Sequence, residues 1–389
     1  MVHVPMWGRF LSYLPGRRDM DSGRVTGFIR DHSVVVISAI PALLSFAFTE
    51  DPIGSFGSID VRTICILFCF MASVAMMAGC GAFDRMASYL VSRTGGIRSL
   101  CMTLVMIPYL CSMFITNDVA LITFVPLAIG VLEGIGRRDL MIPVIILQTA
   151  AANLGSVVTP FGNPQNLYLF SNYGLTFTDF IRVLLPMVVV GTLILMVVTV
   201  LISKGSEETA VSEKGELTHR PALMMACILF VLCMATVMRA VPFEVTLIIV
   251  VVCSLISMPK ALGKVDYSLL LTFVFLFLFT GNIASNPMMA DLLGGLMEWD
   301  PVTASALASQ FISNVPAAVL LSGFTEDWAG LLAGVDIGGF GTPIASMASL
   351  ISLRLYMGTD GSDMKRFMAS FTGINILMLV ILLILYRMI

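Results

Sequence analysis

The chain has 389 residues, 58% hydrophobic and only 12% charged, with a mean hydropathy of +0.95. A soluble globular protein carries about twice that share of charge; no single water-soluble core could hide so much apolar side chain, so lipid must be the solvent for most of it. The formal net charge of −3, with the charges placed in loops, excludes a basic domain for nucleic acid.

Residues 1–32 carry Arg9, Arg17, Arg18, Arg24 and Arg30 ahead of the first long apolar run, without the small-residue pattern of a cleaved signal. Trp7, Phe10, Leu11, Tyr13 and Leu14 lie among these arginines, which predicts a cytoplasmic segment lying on the inner membrane surface. Apolar runs of near-membrane length follow at 33–49, 61–80, 140–170, 183–203, 221–238, 243–258, 267–285, 328–352 and 367–386. Two further stretches, 99–133 and 301–325, are interrupted midway by Thr116-Asn117-Asp118 and by Ser313-Asn314. Polar backbone at membrane depth is tolerated only against protein or water, so each stretch is expected to be a re-entrant hairpin turning at its polar tip.

Charge placement tests that map. With the N-terminus cytoplasmic and both hairpins returning to the side they entered, 18 of the 22 Lys and Arg fall on the inner side. Only Arg62, Arg182, Arg239 and Arg387 fall outside, the bias expected of a multi-pass protein of the plasma or inner membrane. The same map sends the first hairpin in from the cytoplasm and the second from outside.

The halves also resemble each other in sequence. ANLGSVVTPFGNPQNL at 152–167 aligns with VDIGGFGTPIASMASL at 335–350 at a constant offset, 336 − 153 = 183, so that Thr159-Pro160 meets Thr342-Pro343. The expected fold is therefore an all-α polytopic membrane protein of two inverted-topology repeats, 33–203 and 221–389, joined by a charged cytoplasmic linker at 204–220. Each repeat has a re-entrant hairpin and a transmembrane helix broken at Gly-x-x-x-Thr-Pro, the sequence pattern of a transporter's binding site.

A broken helix leaves N–H groups free at one half-helix start, which suit an anion, and carbonyls free at the other end, which suit a small cation. Glycine permits close backbone approach, and proline stops the helix from re-forming. The candidate residues are Thr116, Asn117, Asp118, Asn153, Gly155, Thr159, Pro160, Gly162 and Asn163 in the first repeat. Their counterparts are Ser313, Asn314, Asp336, Gly338, Gly339, Thr342, Pro343 and Ser346 in the second. Asp118 and Asp336 are the two acids expected inside the membrane, where ionisable groups are costly and default to function. Each could carry Na⁺ or a proton, or cap a half-helix by accepting backbone N–H bonds. Na⁺ ligation is expected at Asn117, Asp118, Asn314 and Asp336. Arg354 reads as an inner-side anchor.

Other chemistry finds little support. All eight cysteines lie in apolar stretches without a CxxC pair, and His3, His32 and His219 fall outside the spans, so no metal or haem cofactor is expected. Neither a Ser/His/Asp set nor an HExxH motif occurs in the apolar segments, which argues against a membrane-embedded enzyme.

The runs FITNDVALITFVPL (114–127), GSVVTPFGNPQNL (155–167), SQFISNVPAAVLL (309–321) and VDIGGFGTPIASMASLI (335–351) resemble the ion transporter superfamily of citrate-transporter-like and arsenite-permease-like anion permeases. The likeness spans nearly the whole chain. It implies a small-anion transporter, often dimeric, working by an elevator-like movement. It would place Thr116, Asn117, Gly155, Thr159 and Asn163 in one binding lobe, and Ser313, Asn314, Gly338, Thr342 and Ser346 in the other. Symporters of dicarboxylates tend to carry Ser-Asn-Thr at both tips; the Thr116-Asn117-Asp118 form looks more like arsenite permeases and one group of sodium/proton antiporters. The second break also departs from the usual Gly-Ser-x-Ala-Asn run, with Ala345-Ser346-Met347-Ala348-Ser349 in its place. The expectation is ion-coupled transport of a small inorganic or carboxylate anion (arsenite, citrate, a dicarboxylate), driven by Na⁺ or H⁺, with Na⁺/H⁺ antiport through Asp118 and Asp336 as the alternative.

Overall fold

The computed structural model describes residues 33–49, 53–203 and 219–389. The expected interfacial segment 1–32 and positions 204–218 of the linker lie outside the described residues. Among the described residues there are eighteen α-helices and no strand. The first repeat's region holds α1 (Ser33–Ser45), α2 (Val61–Gly79), α3 (Ala82–Val91), α4 (Ile97–Ser112), α5 (Asn117–Gly134), α6 (Met141–Ser156), α7 (Pro164–Asn172) and α8 (Phe177–Ile202). After them come α9 (Arg220–Val237), α10 (Phe243–Ser257), α11 (Pro259–Leu262), α12 (Tyr267–Ala284), α13 (Pro287–Trp299), α14 (Pro301–Ile312), α15 (Asn314–Ser322), α16 (Trp328–Gly338), α17 (Met347–Met357) and α18 (Met364–Met388). Seven helices, counting the short turn that leads into α6, are long and apolar enough to cross a membrane. The protein is a multi-pass, all-helical membrane protein.

The expected interruptions fall where the polar residues stand. The stretch 99–133 folds as α4 and α5 with a turn at 113–116, and 301–325 as α14 and α15 hinged at Ser313. The stretch 140–170 breaks at 157–163 between α6 and α7, and 328–352 breaks at 339–346 between α16 and α17. At about 1.5 Å per residue, the 12 residues of α14 and the 9 of α15 rise roughly 18 and 14 Å. Neither crosses a hydrocarbon layer of about 30 Å. The arms of the first hairpin are longer, and α5 by itself is long enough to span. The short helices α3, α11 and α13 were not expected. α3 and α13 occupy matching places, each between a long span (α2, α12) and a hairpin.

Element for element, α2 to α8 corresponds to α12 to α18, with a long closing helix at the end of each series. Each hairpin packs on the break of its own half, α4 on α6 and α14 on α16. The halves then exchange partners: α5 packs on α17 and α15 packs on α7. α6 lies almost wholly enclosed, whereas α8 and α18 leave most of their surface free for lipid. A second group of helices, α1, α2, α9, α10 and α12, packs chiefly within itself. It meets the hairpin-and-break group through α12 against α15 and α2 against α7.

Candidate functional site

The first hairpin tip, α6 and the second break are joined in one buried hydrogen-bond network, and the second tip lies against it. Asn117, the first residue of α5, donates from Nδ2 to Asn153 Oδ1 at 2.9 Å. Asn153, in α6, donates from Nδ2 to the Gly339 carbonyl at 3.2 Å, in the break after α16. Its Oδ1 also accepts from Ser346 Oγ at 3.2 Å, at the start of α17. The amide of Asn314, first residue of α15, lies 3.2 Å from where a Cβ on Gly339 would stand. Asn117, Asn153, Asn314 and Ser346 are all buried. One asparagine in the first half thus joins its own hairpin tip to the opposite half's break.

Among α-helices preceded by Asp, Asn, Ser or Thr, the starts around this network differ from the rest; α3, α4, α6, α9, α10 and α11, preceded by other residue types, have no side-chain cap either. Asp60, Asp266, Asp300, Asp327, Asp363, Asn286 and Thr176 each accept a backbone N–H at the start of α2, α12, α14, α16, α18, α13 and α8. None of the four interior starts, α5, α7, α15 and α17, is capped by the residue before it: Thr116, Asn163, Ser313 and Ser346 make no such bond. The positive ends of four half-helices are therefore left at the centre of the protein, with the Asp118 N–H taken up by Asn117 Oδ1 and the Asn314 N–H by the Ala345 carbonyl. No Lys or Arg occurs in 99–133, 140–170 or 301–325, and Arg354, in α17, is exposed. A negative ligand there would be met by backbone and neutral donors.

Other predicted residues build the frame. Thr159 Oγ1 donates to the Met113 carbonyl, and Thr342 Oγ1 to the Gln310 carbonyl at 3.1 Å. Met113 and Gln310 each stand four residues before a tip asparagine, so the two bonds are the same bond made twice, each tying a break to its hairpin. Gln310 adds bonds from Nε2 to the Gly338 and Phe340 carbonyls at 2.8 and 2.9 Å, and accepts from Thr342 N at 2.9 Å. Gly155 has no room for a side chain, since a Cβ would sit 2.5 Å from Ser112 Oγ. Gly162 and Gly338 likewise press against Ser112 and Ser309. These three glycines serve helix contact between hairpin and break. Pro160 is buried and Pro343 half-buried within the breaks. Ser313 holds φ +73°, ψ 154° at the second tip, a conformation that costs a non-glycine residue about 1–3 kcal/mol. Thr116, at the first tip, is in ordinary extended geometry.

The two acids sit differently. Asp118 lies in the first turn of α5; its backbone N–H bonds Asn117 Oδ1 at 2.9 Å, and its own Oδ1 is buried without a partner. Asp336 lies in the last turn of α16, not at a helix start, and is 2% exposed. Its Oδ1 accepts from Gln165 Nε2, across the halves, at 3.3 Å, and its Oδ2 has no partner.

The citrate transporter family model (CitMHS) matches residues 28–327, most of the chain. The chain belongs to that family. Inner membrane protein YbiR of Escherichia coli is 32% identical over 321 residues, covering 80% of this chain and 84% of its own. An uncharacterized transporter of Methanocaldococcus jannaschii is also 32% identical, over 79% of this chain and 84% of its own. A silicon efflux transporter of rice is 30% identical over 138 residues, 35% of this chain and 28% of its own. Among solved structures, the YdaH transporter of Alcanivorax borkumensis shares the fold, with a TM-score of 0.54, 16% identity and 88% of each chain covered. This member of the citrate transporter family is a membrane transporter and not an enzyme.

Three residues that sequence reasoning passed over belong beside this network: Gln165, Asn166 and Ser349, all fully or almost fully buried. Asn166 and Ser349 are partners in the 183-residue repeat, 166 + 183 = 349. That register, read past Asn163, was the signal that could have found them. The network is closed in this conformation. A cavity of about 690 Å³ by Gly79, His219 and Lys264 and one of about 300 Å³ by Arg138, Tyr356 and Arg366 both lie away from it.

Proposed function

We propose that the protein is a secondary active transporter of a small inorganic or carboxylate anion, coupled to Na⁺ or H⁺. The observation that carries the reading is the set of four half-helix starts around the Asn117–Asn153–Ser346 network whose preceding Thr, Asn or Ser leaves them uncapped, when the seven other α-helices preceded by Asp, Asn or Thr are capped by it. An anion bound there would meet the positive ends of these half-helices, without a buried arginine to hold it permanently. Release is then as feasible as binding, which a carrier requires. In this reading the two halves are inverted repeats divided as 33–203 and 221–389, their hairpins re-entrant and their N-terminal side cytoplasmic. The hairpin-and-break helices travel as one body against α1, α2, α9, α10 and α12, in the manner of an elevator, within a homodimer. Asn117, Asp118, Asn314 and Asp336 are the places where a coupling ion would act.

The test is uptake by the purified protein in liposomes, over a panel of arsenite, silicate, phosphate, sulfate, citrate and dicarboxylates, under imposed Na⁺ and H⁺ gradients. Gradient-dependent accumulation of one class is expected; no movement of any panel member under either gradient overturns the reading. A second reading, Na⁺/H⁺ antiport, is favoured by the unpartnered Asp118 Oδ1 and Asp336 Oδ2. It predicts Na⁺- or Li⁺-driven proton movement without any anion, lost in Asp118→Asn.

A further inference from the structure

The larger cavity belongs to the other group of helices, at the end of the molecule where α2 stops and α9 begins. It exists because one helix is short. At the opposite end α9 and α10 are level, since the hydroxyls of Thr236 and Thr246 share a hydrogen bond at 2.6 Å. From those residues α9 extends to Arg220 and α10 only to Ser257, about one and a half turns less. Pro259 is the cause: it disfavours helical backbone at the residue before it, and Met258 leaves the helix at φ −158°, ψ 75°. The chain then forms the single turn α11, which packs against α2.

The space left by the missing turns is about 690 Å³. Met258 bounds it at α2, where a Cβ on Gly79 would lie 2.8 Å from Met258 Sδ. Ala222 and Met225 of α9 and Ile256 of α10 make its wall apolar. The ionisable groups that line it are all basic: His219, Lys260 and Lys264, each exposed. No acidic side chain among the described residues lines it, and Lys260 enters none of the ion pairs found among them.

α2 and α9 are each just long enough to cross a membrane, so this end of both lies where hydrocarbon meets water. An apolar wall beside exposed lysines at that depth matches a molecule with an acyl chain and an anionic head. A free anion would leave the wall empty, and a lipid without net charge would leave the lysines unmatched. A lysine ammonium, a compact point charge on a flexible stem, can meet a phosphate without fixed bidentate geometry. We propose that the groove between α2, α9, α10 and α11 binds one anionic phospholipid, with an acyl chain along Met225 and Ile256 and its phosphate at Lys260 and Lys264. The site lies within one helix group and includes no residue of the Asn153 network, so binding needs neither a transported anion nor a gradient.

The experiment is thermal unfolding of the delipidated, full-length protein in non-ionic detergent, titrated with phosphatidylglycerol, with phosphatidylcholine of the same chains, and with glycerol phosphate. Phosphatidylglycerol is expected to stabilise saturably, as mass action requires of a ligand of the folded state. Phosphatidylcholine should need about thirtyfold more, the worth of two lysines beside an anionic lipid, and glycerol phosphate should give no shift. Lys260→Gln with Lys264→Gln should raise the half-saturating phosphatidylglycerol concentration by about thirtyfold. Arg93→Gln with Arg98→Gln removes the same charge from exposed positions at the α3–α4 junction and should leave that concentration unchanged. Ile256→Ser, at a side chain 78% exposed, should raise it by about fivefold through lost apolar contact, and it tests the groove should the lysine pair fail to fold. The proposal is overturned by equal responses to the two lipids or by no response to either. An undiminished response in both groove variants, or an equal loss in the arginine pair, also overturns it. So does a shift with glycerol phosphate matching that with phosphatidylglycerol, which would make the site one for a free anion.

Discussion

Asn153 is the residue on which the most structure turns. Its side chain has one acceptor and one donor group, and both are spent: Oδ1 on Asn117 of its own half and Ser346 of the other, Nδ2 on Gly339 of the other. An aspartate here would lose the donor to Gly339, and an alanine would lose all three bonds. Removing the amide leaves buried groups on three other elements unpaired, at about 1–3 kcal/mol for each that finds no new partner. Asn153→Ala is expected to lower stability by about 2 kcal/mol and to slow uptake by about tenfold or more, since catalytic and binding groups tolerate little misplacement. Thermal unfolding and liposome uptake measured on one preparation check it. Near wild-type uptake in Asn153→Ala would mean that the tips are aligned by something other than this network.

At the level of elements, the two threonines of the breaks carry a role that the sequence did not separate from ligand binding. Thr159 and Thr342 sit beside proline in both repeats, and that pairing marks them as a matched pair whatever they do. The structure commits their hydroxyls to hairpin carbonyls, Met113 and Gln310. Thr159→Val and Thr342→Val keep shape and delete the bond, so each is expected to cost about 1 kcal/mol of stability while the KM for substrate changes little. A tenfold rise in KM with unchanged unfolding would return them to the binding surface. Helix breaks and hairpins were legible because polar residues in lipid demand an unusual backbone, and Thr116-Asn117-Asp118 and Ser313-Asn314 stand out against apolar flanks. The turns fall within a residue or two of those positions. What stayed hidden was pairing across the halves. Nothing local to Gln165 announces that it reaches Asp336, 171 residues away, and nothing local to Gln310 announces that it braces the second break. A glutamine in a membrane segment reads the same whether it bonds its own helix or another. The strained backbone at Ser313 was equally invisible, because serine carries none of the turn preference that glycine would have signalled.

For the whole molecule, the decisive contrast lies between two kinds of contact. Inside the hairpin-and-break group, where α5 packs on α17 and α15 on α7, buried hydrogen bonds cross the repeats, joining Asn153 to Ser346 and Gly339, and Thr149 to Ser352 at 2.7 Å. Against the other group they are largely apolar. Phe70 of α2 stacks on Phe161 in the first break at 5.6 Å, and Tyr168 of α7 packs against Phe273 and Phe277 of α12. A seam of aromatic and aliphatic contact can slide at small cost, whereas a network of buried hydrogen bonds cannot be sheared without leaving orphans. If transport displaces one group against the other, a covalent tie across the apolar seam should stop it. Thr280 of α12 and Gly323, just beyond α15, offer the position: a Cβ on Gly323 would lie 3.0 Å from Thr280 Cγ2, and Gly323 has ordinary helical backbone angles. Thr280→Cys with Gly323→Cys, in a chain whose eight native cysteines have been replaced, is expected to form a disulfide under mild oxidation. Uptake should fall to background when the bond forms and recover on reduction, while each single variant transports under both conditions. Full-rate uptake by the cross-linked protein would confine the motion to the hairpin tips and rule out movement of the whole group.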